Sequence, residues 1–212
     1  HPYYDEERPY ELKTNKEEYD YSRIARLIRI INQTPWDTFP DSLEAVLDVA
    51  SVLKYFAVNV LTGNWDDYWF LRNNYYLYHQ PDEDRFYWVP YDYDNSIGID
   101  WFEIDWTETD PFNFPIIDGD GRPLAERLME HDEYRDLYAH FINFISTNIF
   151  ELSHWEDRMD NLKINMDPWV EIDEYRTYDY GFTMEDYHNS FSEHHFQNLH
   201  VKRGIREFVN LR

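Results

Sequence analysis

Apolar positions recur at helical spacing along most of the chain. Ile24, Leu27, Ile28 and Ile31 share one face of a segment predicted as helix over 16–32, with Thr14-Asn15 as N-cap chemistry and Thr34-Pro35 as a stop. Pro40-Asp41-Ser42 opens a short helix through Val46. Val52, Leu53, Phe56, Ala57, Val60 and Leu61 form a wide stripe on a helix over 49–61, which Gly63-Asn64 closes. Residues 124–129, 133–150 and 154–165 also read as helices. In the long one Leu137, Phe141, Phe144, Ile145 and Ile149 share a face. Phe182-Thr183 caps a last helical region that runs through Tyr187 to Val209.

Between these helices the period changes. Tyr75–Tyr78 and Phe86–Val89 are aromatic and branched, as strands prefer, and the polar run 80–84 makes a turn between them. They predict a β-hairpin. Tyr10–Lys13 reads as a short strand, and 100–115, rich in Trp, Phe and Asp without a clean period, as an ordered loop. The predicted class is α+β and predominantly helical, with one hairpin, in a single domain over 1–212.

Composition narrows the partners. Forty-three acidic and 19 basic residues give a net charge of -24. Such a field repels nucleic acid and anionic lipid, both of which are bound through Lys and Arg contacts to phosphate. It suits cations, basic peptides or sugars. Hydrophobic residues make up 42% of the 212, enough for a core, and 19 Tyr, 14 Phe and 8 Trp place much of the burial on rings. With no cysteine, disulfides and thiolate chemistry are excluded, which fits a secreted bacterial protein. No run of about 18 apolar residues is present to span a membrane. His1-Pro2-Tyr3-Tyr4 has neither the basic start nor the apolar run of a signal peptide, and the absence of an initial Met reads as processing or as a piece of a longer chain.

Candidate chemistry concentrates in 63–98, GNWDDYWFLRNNYYLYHQPDEDRFYWVPYDYDNSIG. Its order is helix end, Asp66-Asp67, Asn73-Asn74, hairpin, Asp92 and Asp94. Phosphoryl transfer needs a carboxylate for the substrate hydroxyl proton, together with amide and carboxylate oxygens for Mg²⁺. Asp66 or Asp67 suits the first role; Asn73, Asp92 and Asp94 suit the second. In extended backbone Asp92 and Asp94 would point to one face and repel unless a cation joins them. The plainer reading makes Asp66-Asp67 a helix-end cap and Asp94-Asn95 an Asx turn.

Other motifs are weaker. Asp118-Gly-Asp-Gly121 starts like a Ca²⁺ loop, but Arg122-Pro123 follows where further ligands belong, so a glycine turn reads better. His188, His194, His195 and His200 lack the spacing of a zinc motif. The rings and paired acids also fit a carbohydrate-active protein. Lys202, Arg203 and Arg206 form the densest basic cluster and pair with the acidic bulk.

The blocks AVNVLTGNWDDYWFLRNNYYLY (57–78) and FYWVPYDYDNSIG (86–98), with YELKTN (10–15) and VKRGIREFV (201–209), resemble the spore coat protein H (CotH) kinase family. The resemblance implies an atypical protein kinase using ATP and Mg²⁺ on Ser or Thr of partner proteins, at the spore coat, the cell surface or outside the cell. Carried over by residue, Asp66 matches the catalytic-loop aspartate with Asp67 beside it. Asn73 matches the loop asparagine, Asp92 the metal-binding aspartate and Asp94 its companion. The chain carries no HRD, DFG or glycine-rich loop, and Asp66 to Asn73 is longer than the HRDxxxxN interval. In the kinase layout it corresponds to a C-lobe with the N-lobe largely absent, leaving nucleotide-binding residues unassigned. The alternative is a non-catalytic surface, adhesion or cellulosome-associated module.

Overall fold

A computed structural model describes residues 10–117, 119–178, 180–195 and 197–212. The leader test at His1–Tyr4 lies outside these residues. Eight α-helices and a two-stranded antiparallel hairpin are described, an α+β, predominantly helical fold. No helix among the described residues is long and apolar enough to cross a membrane. Contacts divide the chain into two units, one ending at Leu47 and one running from Asp48 to Arg212.

The first unit carries α1 (Ser22–Gln33) and α2 (Phe39–Glu44), packed on each other. α1 starts six residues later than its apolar spacing predicts. Asn15 and Tyr19 stand in the left-handed region, at φ 52° and 50°, and break the segment into turns before Asp20 Oδ1 accepts from the Ser22 amide at 2.8 Å. Residues 10–13 form no strand, since no ladder partner meets them among the described residues.

In the second unit α3 (Val49–Thr62) is the central helix. Val52, Leu53, Phe56, Ala57 and Val60 are fully buried, as their stripe predicts. Asp48 caps it through the Ser51 amide at 3.1 Å, and Gly63 ends it at φ 62°. A Cβ on Gly63 would meet Trp106 Cβ at 2.7 Å, so glycine is needed there for space as well as angle.

β1 (Tyr75–Gln80) and β2 (Arg85–Pro90) pair with Tyr76 opposite Val89 and Leu77 opposite Trp88. One face packs inward through buried Phe86 and Trp88, with Tyr75 stacked on Trp88 at 4.3 Å. The Asp48 amide donates to Phe86 O at 2.8 Å and joins the hairpin to the start of α3. The loop over 100–115 is ordered around buried Asp100, which accepts from the amides of Phe102 and Ile104 and from Trp106 Nε1.

α4 (Pro123–Glu130), α5 (Asp132–Asn148) and α6 (Glu156–Ile172) follow, and α5 lies along α3. The predicted helix from 183 to 209 is in fact two helices, α7 (Met184–Asn189) and α8 (Ile205–Leu211). The segment between them makes long-range backbone bonds instead. The Asp100 amide donates to His200 O at 2.7 Å, and the Lys202 amide to Gly98 O at 2.8 Å. Local periodicity does not report such pairing.

Candidate active site

The loop after α3 is held from below by a buried carboxylate. Asp67 is fully buried; its Oδ2 accepts from Asn59 Nδ2 at 3.0 Å and its Oδ1 from the Phe70 amide at 2.8 Å. Its backbone oxygen accepts from the amides of Leu71 and Asn73, at 3.1 and 2.9 Å. Burial pushes the Asp67 carboxyl up to about 7, against the pull of the Phe70 and Asn59 donors and the Arg122 charge. Tyr55 and Tyr93 are also pushed up, by burial first and then by the Asp67 charge.

Arg122, also buried, holds the loop from the other side. Its Nε donates to Tyr68 O at 3.2 Å and its Nη2 to Phe70 O at 2.6 Å. The loop is therefore fixed through its own carbonyls, which have no helix or strand to satisfy them.

Asp66 is half-buried and turned to the opposite side, toward amides. Asn73 Nδ2 donates to its Oδ1 at 2.9 Å; Asn74 Nδ2 and Asn95 Nδ2 donate to its Oδ2 at 2.9 and 3.3 Å. Arg72 and Asn74, at φ 63° and 50°, turn the chain sharply on either side of Asn73 and return both amides to Asp66.

Asp92 and Asp94 come to this place by a different route from the one their spacing predicts. Asp92 lies at φ 54°, so the stretch is a turn and not an extended strand. The two carboxylates still meet. Desolvation pushes the Asp94 carboxyl up, and the Asp92 contact and the Asp66 charge push the same way, against the Asn95 amide. The three acids thus share one field. The Asn95 amide contact lies one residue on from Asp94, so it is a local carboxylate–amide contact and not the two-residue bond of the Asx turn expected on the plainer reading.

Oxygens suited to a divalent cation are present here. Asn73 uses its Nδ2 on Asp66 and retains its Oδ1, while Asp92 and Asp94 are exposed. Among the described residues no three His, Asp or Glu side chains are grouped so as to hold a metal by themselves. Mg²⁺ does not require such a cage: one or two carboxylates suffice, with water and phosphate oxygens completing the shell. The donor set fits Mg²⁺ on those terms.

The remaining candidates lie elsewhere. Asp118 of the possible Ca²⁺ loop is outside the described residues, and Asp120 faces Arg72 at 3.4 Å. His188 meets Lys163 at 3.1 Å, His195 meets Glu207 at 3.3 Å, and His200 packs on Trp101 and Tyr180. The basic cluster pairs with acids as expected: Arg203 with Asp105 and Glu207, Arg206 with Glu156 and Asp160, and Lys202 with Asp100 at 3.9 Å. Sequence reasoning did not single out Asn59, Asn95 or Arg122 as parts of the site. Asn59 did leave a trace, as an amide set among the apolar positions of α3.

The chain is thus a predominantly helical α+β protein with an amide-held aspartate after its central helix and an acidic turn after its hairpin. The chain belongs to the CotH kinase protein family, whose model matches residues 2–212. It is similar to inner spore coat protein H of Bacillus subtilis (strain 168), with 27% identity over 174 residues, covering 80% of this chain and 44% of that protein. The chain therefore spans less than half the length of that relative.

Proposed function

We propose that the protein transfers the γ-phosphoryl group of ATP to a Ser or Thr hydroxyl of a partner protein, with Asp66 as the base. The observation that carries this is the grip of three asparagine amides on Asp66, which aims one half-buried carboxylate beside the Asp92–Asp94 turn. Asp67 is enclosed and supports the loop; Asp66 is the member of the pair open to a substrate. The hydroxyl oxygen forms a bond to the γ-phosphorus as the bridging β–γ P–O bond breaks. The hydroxyl proton passes to Asp66, and ADP leaves. Asp92, Asp94 and Asn73 Oδ1 would hold Mg²⁺, which supplies charge neutralisation on the phosphates. Catalysis is by positioning and electrostatics, with no covalent enzyme intermediate.

The relative's name places that protein in the inner spore coat, and the same location is the proposed one here, with other coat proteins as substrates. The test is transfer of radiolabel from γ-labelled ATP, with Mg²⁺, into coat-protein extract and into the protein itself. Labelling by the wild type and loss in Asp66→Ala and Asp92→Ala supports the reading. Equal labelling by all three proteins overturns it. If no protein is labelled and ATP with Mg²⁺ gives no thermal shift, the non-catalytic surface module replaces it.

A further inference from the structure

A groove of about 480 Å³ runs between α3 and α5, and none of its lining residues belongs to the candidate active site. Val58 and Leu61 of α3 face Phe141, Phe144 and Ile145 of α5 across it, with Phe150 beyond the end of α5. Phe144 is 48% exposed, although it lies on the apolar face of its helix. The one hydroxyl in the lining, Thr62 Oγ1, donates back to Val58 O of its own helix at 2.9 Å. The volume is that of a small-molecule site, and the walls offer a ligand almost nothing but carbon.

The charge at this groove is opposite to that of the chain. Forty-three of 212 residues are acidic, yet no Asp or Glu lines it. Its charged lining residue is Lys54, exposed, with Nζ 5.3 Å from the centre of the Phe141 ring. Lys54 makes no ion pair with any described residue, whereas Lys163, Arg203 and Arg206 are each taken by carboxylates. His140 lies flat beside Phe144, at 6.4 Å and 25°, and adds a second basic side chain. A cation kept beside an apolar trough, away from the abundant acids, suits a ligand with a negative head and a hydrocarbon body. A cationic amphiphile would find no carboxylate there, and a polar anion would leave the aromatic wall uncovered.

We propose that this groove binds a free straight-chain carboxylate of fatty-acid type, with its alkyl chain against Val58, Phe144 and Ile145 and its carboxylate on Lys54. The test is isothermal titration of the whole chain with decanoate below micelle formation, alongside decanol and decyltrimethylammonium. Decanoate is expected to bind one-to-one and saturably, and the other two at least about tenfold more weakly, as befits loss of a charge-assisted contact. Lys54→Glu, a surface change that leaves the core intact, is expected to weaken decanoate by about tenfold or more. Val58→Trp, which fills the trough, is expected to abolish binding, and Lys16→Glu in the first unit to leave it unchanged. No saturable heat with decanoate, equal affinity for the ammonium amphiphile, or full affinity in Lys54→Glu each overturns the proposal. Concentration-dependent self-association that Phe144→Ser removes also overturns it, and assigns the groove to a second copy of the chain.

Discussion

Asn59 donates its Nδ2 to Asp67 Oδ2 at 3.0 Å, and both residues are fully buried. This one bond couples the last turns of α3 to the loop that begins after Gly63. Asp66, one residue before Asp67, takes its position from the most deeply buried helix of the fold.

Removing that donor should be costly. Asn59→Leu keeps the volume close but leaves a buried carboxyl with one fewer partner. The expected loss is about 2–4 kcal/mol in urea denaturation. Replacing Asp67 as well, in Asn59→Leu with Asp67→Leu, should recover part of it, because the buried carboxyl is then gone, although the Phe70 amide and Asn64 Nδ2 lose their acceptors. Strict additivity of the two changes would show that the bond is unimportant.

The raised Asp67 carboxyl has a defined pH signature. Its folded value, about 7, lies above the ordinary carboxyl value of 3.8, so the folded state binds the extra proton between the two. The stability it contributes is complete below about pH 4 and is lost as the pH rises towards 7. Asp67→Asn removes this group alone. Its stability should therefore fall less steeply than that of the wild type between about pH 4 and 7. Parallel denaturation curves across that window would exclude a raised Asp67.

How far the sequence reveals these features depends on how local their causes are. α3 and the hairpin are legible because a buried stripe from Val52 to Leu61 and the alternation around Phe86 and Trp88 are written within a few residues. The start of α1 is not, because Asn15 and Tyr19 adopt left-handed angles that other residue contexts would avoid. The break between α7 and α8 is hidden for a different reason: His200 and Lys202 satisfy their backbone on Asp100 and Gly98, about a hundred positions earlier. The site divides the same way. Asp66, Asn73, Asp92 and Asp94 are visible as acids and amides in a telling order. Arg122 is not, since its partners are the carbonyls of Tyr68 and Phe70, which no side-chain pattern announces.

The amide grip on Asp66 predicts graded effects on catalysis. Asp66→Asn removes the proposed base and should lower kcat/KM by about a hundredfold or more, in the range for a general base. Asn74→Ala leaves the proposed base but removes the shorter of the two amide contacts on its Oδ2, 2.9 Å against 3.3 Å from Asn95, and should lower kcat by about tenfold with little change in KM. Its melting temperature should stay near the wild-type value, since Asn74 is only half-buried. A KM effect alone would move Asn74 from positioning to substrate binding.

The repulsion among Asp94, Asp92 and Asp66 predicts a metal response that can be read without any phosphoryl transfer. Mg²⁺ should raise the melting temperature of the metal-free protein at low ionic strength, and EDTA should reverse the rise. Asp94→Asn relieves part of the repulsion by itself. It should melt slightly higher than wild type without metal and gain less from Mg²⁺. An undiminished Mg²⁺ shift in Asp94→Asn would place the cation elsewhere on this acidic chain.

Gly98 decides whether the acidic turn is correctly seated. It stands at φ 92°, and a Cβ there would lie 2.3 Å from the carbonyl oxygen of Arg203. Backbone cannot move aside as a flexible side chain can. The same residue accepts the Lys202 amide at 2.8 Å, so any displacement also pulls on the bridge between 98–100 and the segment before α8. Gly98→Ala therefore combines backbone strain with a clash, and should cost about 2–4 kcal/mol. Gly181, at φ 71° with nothing within 4 Å, offers the control: its alanine variant meets the angle penalty alone and should cost about 1 kcal/mol. Because Gly98 follows Asp92, Asp94 and Asn95 so closely, Gly98→Ala should also weaken the Mg²⁺ thermal shift, while Gly181→Ala leaves it intact. Equal destabilisation by the two alanines, measured by urea denaturation, would mean that the Arg203 carbonyl yields and that the contact does not hold the turn.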